Sequence, residues 1–108
     1  MLTEAARQGC IAPVRSPRPD SFAGLQALLT SAISRLEAVD PAEMNAMLGG
    51  EVRFEAGAFK ADFSTENVLL SFSQPNFYFH AVTAYDILRA QGIVIGKIDF
   101  LSNMRTKA

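Results

Sequence analysis

From Phe22 to Val39, apolar residues recur in steps of three and four: Phe22, Leu25, Leu29, Ala32, Leu36 and Val39, widened by Leu28 and Ile33. That period predicts a helix with one apolar stripe, packed lengthwise on other helices at a shallow angle. Asp20 or Ser21 supplies the N-cap, and Asp40-Pro41 ends the helix. Residues 42–49 have room for one helical turn, which Gly49-Gly50 breaks. The period then changes to two. Val52 and Phe54 alternate with Glu51, Arg53 and Glu55, and Phe59, Ala61 and Phe63 alternate with Lys60 and Asp62. Such patterning on both sides of Gly57 predicts a β-hairpin. A lone hairpin is marginal, so its Phe54, Phe59 and Phe63 face is expected to lie against helices.

Ser64 or Thr65 caps a last helix predicted from about Glu66 to Gln91, with Gly92 as its left-handed C-terminal residue. Pro75 stands well inside that span and is expected to kink or divide it, because its ring meets the carbonyl one turn back. Beyond Gly92, the segment holding Ile93, Ile95, Ile98, Phe100 and Leu101 is short and glycine-broken, and predicts an extended tail. At the other end, Leu2 to Cys10 predicts a short helix. Pro13, Pro17 and Pro19 make residues 11–19 a Pro-rich extended linker.

Length and composition narrow the class. A chain of 108 residues fits one domain, 1–108, and 49% hydrophobic with 19% charged residues is an ordinary globular balance. A net charge of −1 gives no electrostatic reason to expect nucleic acid or an anionic membrane as partner. No run approaches the eighteen or so apolar residues of a membrane helix. One cysteine, Cys10, cannot form an internal disulfide, and a reducing, cytoplasmic compartment is the simpler expectation.

Unusual residues crowd into Gln74–Leu101, which holds the only histidine, His80, among Phe77, Tyr78, Phe79 and Tyr85. On a helix, Asn76, His80, Thr83, Ala84 and Ile87 share a face. A lone histidine in such company is more often a hydrogen-bonded core residue than a ligand. Metal sites need three or four suitable donors, and one imidazole with one thiol does not supply them. A Cys10–His80 nucleophilic pair weighs less than an ordinary apolar cysteine, since nothing in the sequence around Cys10 marks a reactive thiol. The serines stand in no nucleophile elbow, and Gly49-Gly50 is not a phosphate loop. Asp86 and Arg89, three apart, read as a surface ion pair. Tyr78 and Tyr85, seven apart, read as packing residues with anchored hydroxyls, or as the lining of a polar pocket with Asp86.

The string Pro75-Asn76-Phe77-Tyr78-Phe79-His80, followed by Thr83 through Arg89, Gly92, Gly96-Lys97 and Asp99-Phe100-Leu101, resembles the end of an uncharacterised family of small, mainly bacterial proteins within the DinB/YfiT-like superfamily. The likeness extends more loosely to residue 1. It implies a mainly α fold: a partial up-down four-helix bundle with a β-hairpin between the last two helices. Better-known members of that superfamily hold a metal between one histidine of the second helix and an H-x-x-x-H pair on the fourth. His80 falls on the second histidine of the pair and Asn76 on the first. The signature or pocket residues implied are Asn76, Tyr78, His80, Tyr85 and Asp86, with His80 as a metal ligand of an incomplete site.

Family members begin with two long helices, and only the stub Leu2–Cys10 resembles the end of the second, so the chain is expected to be an N-terminally truncated domain. Two functions follow from the likeness. One is a helical protein without metal-dependent catalysis and without a cofactor. The other is a metal-dependent small-molecule (thiol) transferase or hydrolase, whose divalent metal joins His80 to donors from the missing helices. Uncovered apolar helix faces make a homo-oligomer the expected partner state.

Overall fold

The computed structural model describes residues 7–13, 16–101, 104, 106 and 107. The chain divides into two compact units, one ending at Ser73 and the other starting at Gln74.

The first unit is built on a three-stranded mixed sheet in the order β1 (Cys10–Ile11), β2 (Glu51–Ala56), β3 (Phe59–Ser64). β2 and β3 form the antiparallel hairpin that the alternation predicts, with Val52 opposite Phe63 and Phe54 opposite Ala61. Gly57, first of the two loop residues, has a φ of +61°, and no non-glycine residue described is positive. Positive φ at the first loop position alone is the type II′ pattern, whose twist matches that of the strands.

Period-two burial follows: Val52 and Phe54 are buried, while Glu51 and Arg53 face out. Val68 and Ile11 complete a small core, with Phe63, Leu69 and Phe72 packed against it. The helical covering of the hairpin comes from the residues directly after it. These are the single turn α3 (Thr65–Asn67) and a π-helical stretch, Val68–Ser73. Phe72 sets its ring 4.7 Å from that of Phe54. Phe59, at the hairpin end, stays 60% exposed and lies outside this core.

The long helix α1 (Phe22–Glu37) begins where predicted, with the Ser21 hydroxyl accepting the Gly24 amide proton at 3.1 Å. It ends at Glu37, before the proline. Pro41 opens a second helix, α2 (Pro41–Ala46), for which Asp40 is the cap, accepting from the Ala42 amide at 2.8 Å. A proline whose own donor is an orphan of the first turn suits that place.

Four expectations are corrected. The chain is not a four-helix bundle with a hairpin between the last two helices. Among the described residues only two helices, of 16 and 17 residues, exceed two turns, and the hairpin precedes four further helical segments. The buried residues gather on the sheet, because the in-facing hairpin positions and Val68 are neighbours in sequence and close over each other. α1 itself buries none of its residues.

The stub helix is also shorter than predicted. Arg7 and Gln8 are helical, Gly9 turns left-handed at φ +66°, and Cys10–Ile11 pair parallel with Arg53 and Phe54. Residues 2–6 of that predicted helix lie outside the described residues. The linker consequently loses its first residue to β1, where Ile11 is buried. Finally, Lys97–Phe100 form one helical turn where an extended tail was expected.

The second unit contains α4 (Gln74–Ala90) and that turn, α5 (Lys97–Phe100). Helix type changes between Ser73 and Gln74, one residue ahead of Pro75. A missing proline donor removes a rung of the α ladder, and a wider π turn is a common place to absorb such a defect. Gly92 closes α4 as predicted. With φ +86°, it donates to the Arg89 carbonyl at 3.0 Å while Ile93 donates to Leu88 at 3.2 Å. Those two bonds make a Schellman motif. No helix among the described residues is long and apolar enough to cross a membrane.

Candidate functional site

α4 carries all five residues that the resemblance singles out, and it presents them unequally. Asn76, Tyr78, His80 and Asp86 are exposed, and Tyr85 is half-buried. His80 has the Phe79 ring edge-on at 5.2 Å. Tyr78 has a similar edge contact with Phe77 at 5.6 Å. Asp86 meets Arg89 at 3.8 Å, the ion pair its spacing predicts, with both side chains more than half exposed. An exposed pair at that distance contributes little to stability.

Tyr85 has the richest surroundings. Its hydroxyl donates to the Gly96 carbonyl. Its ring stands edge-to-face with Phe100 at 5.2 Å and 77°. Asp99, from the same turn as Phe100, accepts the Gly96 amide proton at 2.7 Å. Both backbone polar groups of Gly96 are therefore satisfied by side chains. The arrangement holds the segment after Gly92 onto α4, and it occupies the Tyr85 hydroxyl. Asp86 is engaged elsewhere, with Arg89, so the tyrosine and its acidic neighbour do not act on one point.

Cys10 is exposed on β1, in the first unit. Among the described residues no group of three or more His, Cys, Asp or Glu side chains could hold a metal ion. A shallow apolar notch between the end of α1 and α2, lined by Leu36, Val39, Pro41, Met44 and Asn45, contains no charged or nucleophilic group.

Sequence reasoning missed the polar contacts that fasten the sheet unit. Glu66, in the turn after the Ser64 cap, reaches back to accept the Gly49 amide proton at 2.9 Å. Hydrogen bonds from its own backbone amide, from Gly49 and from the Ser64 hydroxyl hold its carboxyl below the ordinary value of 4.5. A depressed carboxylate pKa stabilises the fold above the unfolded value, and that contribution fades as pH falls through the folded one. Stability is accordingly expected to drop on acidification below about pH 4.5, and Glu66→Gln should flatten that limb. Chemical denaturation at a series of acid pH values checks this, and parallel curves for both proteins would contradict it. On the outer hairpin face, Arg53 pairs with Asp62 at 2.8 Å and with Glu55 at 2.9 Å, and Lys60 reaches Glu55 at 3.4 Å. The alternating polar positions were legible, but not their pairing, which follows from register: Arg53 stands opposite Asp62, and Glu55 opposite Lys60.

The chain is thus a small α+β protein whose candidate residues sit along one largely exposed helix. The family model described as "Domain of unknown function (DUF1993)" matches residues 3–101, and the chain belongs to that family. A comparison with curated proteins finds no match.

Proposed function

We propose that this chain works through self-association rather than metal-dependent catalysis, with α1 and α4 as docking faces. The observation that carries the reading is that neither long helix buries a single residue. Yet both carry large apolar side chains: Phe22, Leu29 and Leu36 on α1, and Phe77, Phe79 and Ile87 on α4, are each more than half exposed. Phe22, Leu29 and Leu36, seven apart, form one stripe of α1, while Phe77 and Phe79 stand on opposite sides of α4, and exposed apolar surface of that extent marks interaction surfaces. A kinship with the DinB/YfiT-like superfamily belongs to the same proposal and rests on the Pro75–Leu101 string. It brings no catalytic role here, because Asn76 stands where the first histidine of the pair would be, and a neutral amide oxygen is a weak ligand. An unpaired Cys10 fits a reducing, cytoplasmic setting.

Sedimentation of the purified chain, with elemental analysis of the same fraction, tests both halves. A concentration-dependent dimer or larger species without stoichiometric zinc, nickel or iron is expected. A compact monomer at all concentrations overturns the association. About one equivalent of metal per chain, lost on His80→Ala, overturns the non-catalytic half.

A further inference from the structure

We infer that α1 is a self-complementary contact, pairing antiparallel with α1 of a second copy across a two-fold axis at Leu29. The inference rests on the self-association reading and specifies its geometry. Its basis is the spacing of five exposed apolar residues of α1. Phe22 and Leu36 stand seven residues before and after Leu29, and Leu25 and Ile33 stand four before and after it. At 100° per residue, those offsets place the five within one stripe, mirrored about Leu29 in both height and angle. A two-fold contact uses the same patch on both partners, so each residue must find its mirror position opposite. Here every such partner is apolar: Phe22 faces Leu36 of the second copy, Leu25 faces Ile33, and Leu29 faces itself.

Two further features agree. The opposed helix dipoles are favourable in that arrangement. Area is of the right order as well. Phe22 is 91% exposed and Leu25, Leu29, Ile33 and Leu36 lie between 44% and 68%. At ~200 Å² for a large side chain, the five offer on the order of 600 Å² per chain, against the roughly 800 Å² that each partner gives to a standard interface.

Site-directed crosslinking decides the matter. In a Cys10→Ser background, Leu29→Cys should join to itself through a short bis-maleimide about tenfold faster than Thr30→Cys, because the axis holds the two thiols at high effective concentration. Leu25→Cys alone should crosslink slowly, and a mixture of Leu25→Cys with Ile33→Cys quickly. Leu29→Glu, which sets two like charges on the axis, should shift sedimentation to the monomer. Its circular dichroism should stay unchanged, since α1 contributes nothing to the buried core. A dimer in which Leu29→Cys reacts no faster than Thr30→Cys overturns this geometry and leaves self-association standing. A monomer at every concentration overturns both.

Discussion

Phe54→Ala is expected to unfold the sheet unit at temperatures where the parent chain is folded. Phe54 is 7% exposed, and among the described residues its fully covered core partners are only Ile11, Val52 and Val68. Its ring also touches those of Phe72, at 4.7 Å, and Phe59, at 5.9 Å. Deleting a buried phenylalanine costs about 3–5 kcal/mol, through lost transfer energy and the cavity left behind. A domain's whole stability is only about 5–15 kcal/mol, and so small a core stands toward the lower end. Phe59→Ala supplies the contrast, since its side chain is 60% exposed and its loss should cost about 1 kcal/mol or less. Urea titration followed by circular dichroism measures both. Equal midpoints for the two variants would show that the core lies elsewhere.

Gly50→Ala should be the next most damaging single change. A methyl group there would lie 3.0 Å from the Met47 carbonyl oxygen and 3.0 Å from the Thr65 hydroxyl. Neither can retreat easily. Thr65 is 2% exposed, and its amide donates to the Gly50 carbonyl at 2.8 Å, while the Gly50 amide is bonded to the Met47 carbonyl itself. Overpacking of that kind costs about 1–3 kcal/mol. Gly49→Ala meets open space but a φ of +78°, so its penalty, about 1–2 kcal/mol, is conformational. The distinction is measurable. Gly49→Asn, which tolerates left-handed backbone, should recover most of the loss at 49, whereas Gly50→Asn should recover nothing. A neutral Gly50→Ala would mean that the loop yields.

Local grammar was legible in this chain, and long-range partnership was not. Ser21 and Ser64 each cap a helix, and Gly92 closes one, because capping is decided within four residues; Asp40, read only as a helix end, turned out to cap the helix that Pro41 opens. The hairpin was legible because alternation and a turn glycine fix it locally. β1 was not, since two residues carry no readable period, and the parallel pairing of Ile11 with Phe54 is a tertiary choice. The stripe on α1 was read correctly as apolar, but no helix among the described residues covers it, because amphipathicity states what a face lacks, not what covers it. At the candidate site, the sequence singled out Tyr85 but not its bond to Gly96, which needs the chain to turn back at Gly92.

The sheet's mixed order has a kinetic consequence. β2 and β3 are joined by two residues and can zip within microseconds of the turn forming. β1 must be brought alongside β2 across everything between Pro13 and Gly50, at an entropy cost that grows with the length closed, and only two residues repay it. The hairpin with its π-helical cover is therefore expected to form first. β1 is expected to dock last and depart first, which would take the Gly9 carbonyl from the Arg53 amide and open the Ile11 side of the core. The lifetime of that opened state, more than global unfolding, sets how long β2 presents a bare edge to another strand.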